Sequence, residues 1–179
     1  SANIRQELPG VPGIALTASA TKKVEDDICE KLAFSGEAVR FRQSFERPNL
    51  SYSVFKPVSR QTKLLEILNN VKGSGIVYCK SRKHTQQVAE LLRLHKFPAD
   101  FYHAGLTNEE RSRKQEQWIN NKIRIMVCTN AFGMGIDKPD VRIVVHFDLP
   151  DCLENYYQEA GRAGRDGKRS YAVLLYEDG

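Results

Sequence analysis

The sequence predicts an α/β domain in which a parallel sheet carries helices on both faces. From Ser51 onward, short β-branched or aromatic runs alternate with longer segments whose apolar residues recur at helical spacing. With 179 residues, 41% of them hydrophobic and 27% charged, the chain can bury one ordinary core and is neither disordered nor fibrous. We therefore expect one main domain.

Six strands and four helices are predicted in alternation. The strands are expected at 52–55, 75–79, 99–102, 123–128, 143–147 and 171–176. The first two helices are expected at 59–71 and 83–95, where leucine, isoleucine and valine share one face. The third follows the capping pair Thr107 and Glu110 and runs to about Asn120, and the fourth follows Pro150 with Asp151 as its N-cap.

The beginning of the chain fits this alternation less well. Residues 1–36 contain one predicted strand, 13–17, and one amphipathic helix, 22–33, followed by a linker at 37–50. The main domain would then occupy 51–179. Because exposed apolar surface usually finds a partner, residues 1–36 are expected to dock on their own domain or to mediate self-association.

Composition narrows the class of protein further. The formal charge of +5 and pI near 9.0 permit nucleic-acid binding without requiring it. No apolar run approaches the ~20 residues that span a bilayer, and no signal sequence is present, so a soluble intracellular protein is expected. Cys29, Cys79, Cys128 and Cys152 form no Cys-x-x-Cys pair, which favours buried thiols over a zinc or redox site.

Basic residues occur in two groups with different interpretations. Lys80, Ser81 and Arg82 directly follow a predicted strand, at the edge where parallel sheets bind ligands. Ser81 and Arg82 could bind a phosphate together with free helix amides, or Ser81 could serve only as a cap. The second group, which includes Lys114, shares its helix with glutamates and is predicted to be a solvated, salt-bridged face.

Residues 157–167 hold two arginines, Arg162 and Arg165, among glycines. Positions three apart share a helix face, so the arginines are predicted to present two planar charged forks to one anion. Gly161 and Gly164 would let a phosphate or another domain approach closely. The alternative is a simple helix C-terminus, where arginine complements the dipole and glycine ends the helix.

The pattern Gln-x-x-Gly-Arg-x-Gly-Arg at 158–165 resembles the last motif of superfamily 2 nucleic-acid helicases. Five further segments resemble motifs of RecQ helicases in the family's own order: 16–21, 45–50, 75–82, 102–106 and 128–141. Lys80 and Ser19 depart slightly, standing where the family often has asparagine and threonine. The resemblance implies a RecA-like fold, with residues 51–179 as the second motor domain of an ATP-dependent DNA helicase. It assigns residues 1–36 to the last strand and helix of the first motor domain, joined by an interdomain linker at 37–50.

The resemblance also implies roles for individual residues. Arg165 would be an arginine finger, supported by Arg162, while Gln158 couples the site to the nucleotide. Gly135 and Asp137 would lie at the ATP. Six residues would contact nucleic acid: Ser81, Arg82, His103, Gly105, Thr129 and Asn130. Three would couple hydrolysis to unwinding: Thr17, Ser19 and Thr21. From its residue type, His103 is expected to be structural and not a general base.

No Gly-x-x-x-x-Gly-Lys-Ser/Thr loop and no Asp-Glu-x-His motif occurs in the sequence. We therefore expect an absent first domain to hold most of the ATP and magnesium, and this chain alone to bind neither and to be inactive. No metal site of its own is expected. The implied partners are that first domain and single-stranded or forked DNA, and the implied activity is 3′ to 5′ unwinding in repair or recombination.

Three alternative interpretations fit parts of the sequence less well. A DEAD-box RNA helicase would suit Ser19-Ala20-Thr21, but it usually has histidine at the position of Gln158 and lacks the signature at 47–50. A degenerate RecA-like module could bind nucleic acid without catalysis. A dinucleotide fingerprint at 133–138 lacks its third glycine, because Lys138 stands there. The expected location is the nucleoid in bacteria or the nucleus in eukaryotes.

Overall fold

The computed structural model describes residues 39–41, 47–130, 132 and 136–177, with backbone alone for 39–41. The strand and helix predicted within residues 1–36 lie outside these ranges, as do Gly135 and the coupling residues Thr17, Ser19 and Thr21. Over the described residues, no helix is long and apolar enough to cross a membrane.

Strands and helices alternate along the described chain, close to the predicted bounds. The strands are β1 Val39–Phe41, β2 Leu50–Phe55, β3 Ser74–Tyr78, β4 Ala99–Tyr102, β5 Ile125–Cys128, β6 Val141–His146 and β7 Ser170–Leu175. The helices are α1 Arg60–Asn70, α2 Arg82–Leu94, α3 Asn108–Ile119 and α4 Leu153–Ala160.

The strands form one sheet in the order β1-β2-β7-β6-β3-β5-β4. All neighbours are parallel except β1, which pairs with β2 in the antiparallel sense. The first long strand pairs with the last, since Leu50 lies opposite Ser170. The predicted parallel sheet is confirmed, and β1 is an additional edge strand within the range predicted to be a linker.

Two apolar clusters, one on each face of the sheet, form the core. Because side chains of a strand alternate between faces, Ile76 and Tyr78 enter one cluster while Val77 and Cys79 enter the other. Helices α1 and α2 cover the second cluster, and α3 and α4 cover the first. This layering is the architecture that alternating strands and helices predicted.

Three of the four described helices begin at a side-chain cap; Thr107 was predicted as such, Ser81 was one of two alternatives, and Ser59 was not predicted as a cap. Ser59, Ser81 and Thr107 each accept a backbone N–H through their side chain at the starts of α1, α2 and α3. The predicted Asp151 cap of α4 is wrong, because Cys152 occupies the N-cap position and makes no side-chain capping bond. The carboxylate of Asp151 instead lies 3.3 Å from Lys80 Nζ.

The prediction of four buried thiols is confirmed for two of them and wrong for Cys152, while Cys29 lies outside the described residues. Cys79 and Cys128 are buried in the sheet, whereas Cys152 is partly exposed. Burial raises the pKa of both Cys79 and Cys128. They therefore behave as small apolar groups within the core.

Candidate nucleic-acid and nucleotide interface

Four neighbouring strands end side by side at the carboxyl edge of the sheet, in the order β6, β3, β5, β4. The residues that follow them are Asp148, the turn Lys80–Arg82, the pair Thr129–Asn130 and the turn His103–Gly105. Adjacent strands therefore bring the predicted nucleic-acid contacts to one edge. In parallel sheets this edge is where ligands bind.

The turn Lys80–Arg82 after β3 and the turn His103–Gly105 after β4 lie against each other. A Cβ atom on Gly105 would lie 3.0 Å from Arg82 Nη1 and 3.1 Å from the His103 ring. The absence of a side chain at Gly105 thus leaves the space that the Arg82 guanidinium occupies. Arg82 is exposed. Ser81 does cap α2, since its hydroxyl accepts the His84 N–H at 3.0 Å.

His103 shapes its turn as a neutral ring. Its Nδ1 accepts the Gly105 N–H at 3.1 Å, and the ring stacks on Phe101. Burial, followed by the positive charges of Arg82 and Lys114, lowers the pKa of His103. A neutral imidazole that accepts this bond holds the turn at Gly105 in place, and the structural role expected for His103 stays a prediction.

Lys114 departs from the prediction of a solvated face. It is buried at 4% exposure, and its ammonium donates to Asp100 Oδ1 and to the Phe101 carbonyl, each at 3.0 Å. It also lies 3.5 Å from the centre of the Phe101 ring. The prediction was wrong because the partners come from β4, which helix periodicity cannot identify. Lys114 instead fixes α3 to the strand that precedes His103.

A cleft of about 530 Å³ opens beside this edge, between the ends of β3 and β6 and helix α4. Polar side chains of several elements border it: Lys80, Asn130, Asp151, Asn155, Gln158, Glu159 and Arg162. The structure therefore brings together Gln158 and Arg162, which were predicted at the ATP site, and Asn130, which was predicted to contact nucleic acid. The charged residues of both signs around the cleft suit a polar ligand better than an apolar one.

One wall of the cleft is a packed set of aromatic and charged groups. Nε2 of the buried His146 lies at hydrogen-bond distance, 2.9 Å, from Glu159 Oε1. The His146 ring stacks on the Tyr78 ring with 4.9 Å between the ring centres. Burial raises the pKa of Tyr78, although the nearby Arg162 opposes this effect. The contacts fix Glu159 and bring Arg162 against the end of β3.

Asp148 is a residue that the sequence analysis missed. Its carboxylate accepts the Lys80 N–H at 2.9 Å, lies 2.8 Å from Arg60 Nη1 and lies 2.9 Å from His84 Nδ1. Burial opposes ionisation most strongly, but these hydrogen bonds together hold the pKa of Asp148 below its usual value. Asp148 therefore anchors the Lys80–Arg82 turn. Its position directly after an apolar strand was the available signal.

Cys79, His84 and Asp148 place one ligand atom each within 4.8 Å of one another, as a metal site would. Their chemistry argues against a cation. The Asp148 carboxylate is already engaged by Arg60, and burial disfavours the Cys79 thiolate that a metal would need. We interpret the cluster as a structural network.

The predicted helix face for the two arginines is wrong. Helix α4 ends at Ala160 with Gly161 as its C-cap, so Arg162 and Arg165 lie in the turns that follow. Gly164 has φ +68°, a left-handed conformation that continues these turns. We call Gly161–Lys168 the arginine loop. Both arginines nevertheless border one small cavity beside Trp118.

The arginine loop lies across the starts of β6 and β7. The N–H of Gly164 donates to Val141 O at 2.8 Å, and that of Asp166 donates to Pro139 O at 3.0 Å. Arg165 Nη1 lies 3.8 Å from Asp137 Oδ1, with both side chains largely in solvent. Arg165 and Asp137, both predicted at the nucleotide, are therefore neighbours on the surface.

Lys138 fixes the residue next to Asp137. Its buried ammonium donates to Asn121 Oδ1 at 2.8 Å and to Asp140 Oδ1 at 3.0 Å, and it lies over the Trp118 ring. The Asp137 carboxylate remains outside this network, with its side chain 80% exposed. The buried Lys138 thus holds the backbone next to Asp137 against the end of α3.

Residues 59–167 match the family model described as the helicase conserved C-terminal domain. The chain belongs to this family. It is 46% identical over 179 residues to an ATP-dependent DNA helicase Q-like protein of Arabidopsis thaliana, covering 97% of the chain and 15% of that relative. It is also 46% identical over 173 residues to a RecQ-like DNA helicase of Caenorhabditis elegans, covering 94% and 17%. The resemblance to RecQ helicases is confirmed.

A mimivirus relative from Acanthamoeba polyphaga, named "Putative ATP-dependent RNA helicase", is 46% identical over 175 residues, covering 96% of the chain and 32% of that protein. The chain thus spans about a third or less of the length of these curated relatives.

Solved helicase structures share the fold. A DEAD box protein from Methanococcus jannaschii matches with a TM-score of 0.63 and 31% identity, over 70% of this chain and 35% of that one. The C-terminal domain of the DEAD-box protein Dbp5 matches with a TM-score of 0.61 and 25% identity, over 69% and 72%. The predicted helicase-type RecA-like fold is confirmed.

Proposed function

We propose that this chain is the second motor domain of an ATP-dependent DNA helicase of the RecQ type, moving 3′ to 5′ along single-stranded DNA. The carboxyl edge of the sheet would bind the DNA backbone, and the arginine loop would meet ATP held by a first motor domain. The whole protein would act in DNA repair or recombination, in the nucleoid or the nucleus.

The observation that carries the proposal is the convergence of Arg82, Gly105 and Asn130 at the ends of adjacent strands. Arg82 is exposed, and the bare Gly105 beside it lets a sugar-phosphate backbone approach the chain. Phosphate contacts of this kind give affinity without sequence preference. Ser81 and Thr129 would add hydroxyl contacts, and His103 would hold the turn around Gly105.

Toward ATP, the described residues would contribute the positive charge of arginine side chains, and the phosphate-binding loop would come from the first motor domain. Arg165 and Arg162 would stabilise negative charge that develops on the terminal phosphate, with Gln158 linking the cleft to the nucleotide. Asp137 and Gly135 would lie near the ribose. The first motor domain would hold most of the magnesium, which would neutralise phosphate charge there. The chain alone would neither bind ATP nor turn it over.

A DNA substrate is favoured over RNA by the pattern of relatives. DNA helicases at 43–46% identity cover nearly the whole chain, whereas the DEAD-box structures reach 31% identity over about 70% of it. The mimivirus relative keeps RNA as the second candidate. Unwinding assays of the complete motor on matched DNA and RNA duplexes distinguish the two substrates. Activity on RNA alone would reject our proposal.

The nucleic-acid half of the proposal is tested by binding of single-stranded DNA to the Arg82→Ala variant. Affinity should fall alike for all base sequences, and the dependence of log K on log salt should flatten by about one unit. Arg113→Ala, which removes the same charge from an exposed site on α3, is the matched control. An equal effect of both variants, or a loss confined to one sequence, would contradict the assignment.

The catalytic half is tested by Arg165→Ala in the complete motor. We expect kcat for DNA-stimulated ATP hydrolysis to fall roughly 10³-fold or more, with little change in ATP affinity. Arg165→Lys should fail too, because an ammonium lacks the bidentate fork. The side chain is 43% exposed, so thermal stability should change little. Normal hydrolysis by the alanine variant would remove Arg165 from the mechanism.

A further inference from the structure

We propose that Arg47 and Asn49 are positioning residues that set the geometry of the arginine loop and so align Arg162 and Arg165. This proposal rests on the proposed role of the two arginines. Arg47 and Asn49 precede β2, more than 110 positions before the loop, and both contact it directly.

Arg47 binds the first part of the loop through a two-pronged contact. Its Nη1 donates to the Gly161 carbonyl at 2.9 Å, and its Nη2 donates to the Ala163 carbonyl. These two carbonyls stand on either side of Arg162 in the chain. The planar guanidinium therefore fixes the orientation of the peptide groups from which the Arg162 side chain projects.

Asn49 binds the second part of the loop. Its Nδ2 donates to the Gly164 carbonyl at 2.7 Å and to the Lys168 carbonyl at 2.9 Å, which bracket Arg165. The backbone carbonyl of Asn49 accepts the Ser170 N–H at 3.0 Å. Asn49 thus closes the loop at its base and joins it to the start of β7.

The loop is shaped to receive this asparagine. A Cβ atom on Gly164 would lie 2.6 Å from Asn49 Nδ2 and 2.7 Å from Ser170 Oγ. Real Cβ atoms do not approach other atoms so closely. The glycine therefore serves the close approach of Asn49, where the sequence had suggested that it admits a phosphate or another domain.

The opposite side of the loop has its own restraints. Gly164 and Asp166 donate to the Val141 and Pro139 carbonyls at the start of β6, and Arg142 Nη2 lies 2.5 Å from the Asp166 carboxylate. The loop is consequently held between β6 on one side and Arg47 with Asn49 on the other. Release of one side would let the loop shift, and displacement of a catalytic group by about 1 Å can cost about 10²-fold in rate.

The catalytic test compares Arg47→Lys and Asn49→Asp with wild type in the complete motor. Lysine keeps the charge but cannot span both carbonyls, and aspartate keeps the size but has no N–H to donate. We expect kcat for DNA-stimulated ATP hydrolysis to fall roughly 10²-fold in each variant. KM for ATP and the Kd for single-stranded DNA should stay within about twofold of wild type, because both side chains are engaged by backbone carbonyls of the loop and neither is a proposed ligand contact.

Arg93→Lys is the matched control. The Arg93 guanidinium also donates two hydrogen bonds, to the Ala99 carbonyl and to the Asp100 carboxylate. Both acceptors belong to β4, an edge strand that is separated from β7 by three other strands. Its kcat should remain near wild type at a similar cost in stability. Equal losses of kcat in the Arg47 and Arg93 variants would overturn the proposal, since the effect would then be general destabilisation.

A second measurement does not depend on catalysis. In the 179-residue chain, Arg47→Lys should speed amide hydrogen exchange within 161–168 and leave α2 unchanged. Unchanged exchange in the loop would overturn the positioning role. If exchange rises while Arg165→Ala hydrolyses ATP normally, the positioning is upheld and it is the proposed arginine-finger function that fails.

Discussion

Gly164→Ala should destabilise the protein through two separable effects, a strained backbone and a steric conflict. Gly164 has φ +68°, and an L-residue in the left-handed region costs about 1–2 kcal/mol. The new methyl group would also displace Asn49 Nδ2, which stands 2.6 Å from the ideal Cβ position. Loss of the two Asn49 hydrogen bonds adds about 0.5–1.5 kcal/mol each. The sum is about 3 kcal/mol.

Gly167→Ala isolates the first effect. Gly167 has φ +82°, and a Cβ built there meets nothing within 4 Å. It should therefore lose only about 1 kcal/mol for backbone strain. The two glycines lie three positions apart in the same loop, so the difference of about 2 kcal/mol reports the close approach of Asn49 and Ser170 to Gly164.

The assay is urea denaturation of wild type, both alanine variants, Asn49→Ala and the Gly164→Ala/Asn49→Ala double variant. Because removal of the asparagine amide removes part of the conflict, the double variant should be less destabilised than the sum of its single variants. In thermal scans, about 3 kcal/mol corresponds to a fall in Tm of about 6–12 °C for a domain of this size. Equal losses in the two glycine variants, or strict additivity in the cycle, would refute the reasoning.

Three further predictions concern other parts of the structure. Lys114→Met should cost about 2 kcal/mol in urea denaturation, because it removes charged hydrogen bonds from a buried site, whereas the exposed Arg113→Ala should stay within about 0.5 kcal/mol. Asp148→Asn should be less stable than wild type at neutral pH. This difference in stability should shrink as the pH falls below 3.8, the usual aspartate pKa, and then through the lower pKa that Asp148 has in the folded protein. Over that range wild type loses the carboxylate charge that the folded state favours. In a Cys29→Ser background, a thiol reagent should modify Cys152 quickly in the native protein and the two buried cysteines only after unfolding; rapid modification of all three would contradict their burial.

The sequence predicted the central fold well because the alternation of strand and helix patterns is a local signal. Within the described residues, every strand from β2 to β7 and each helix from α1 to α4 appears within a few residues of its expected position. Strand β1 was not predicted, since Val39–Phe41 is too short for a periodic signal and exists by pairing with β2. Pairing of this kind depends on the tertiary structure.

The candidate site was predicted where residues follow strands directly, as for Arg82 and Gly105. It was missed at Asp148, whose partners Arg60, Lys80 and His84 lie 64 to 88 positions away in the chain. The arginine spacing suggested a helix because i and i+3 share a face. Local periodicity did not reveal that α4 ends first.

The pairing of β2 with β7 has a consequence for the order in which this chain can fold during synthesis. Leu50 can meet Ser170 only after the chain has been extended by 120 residues, which takes about 6–24 s at ordinary rates of elongation. Until then, β2 has no parallel neighbour, and Asn49 cannot meet Gly164 or Lys168. A nascent chain would therefore carry its central strands, and with them the carboxyl edge, before its arginine loop is anchored. The final strand completes the sheet and the loop in one step.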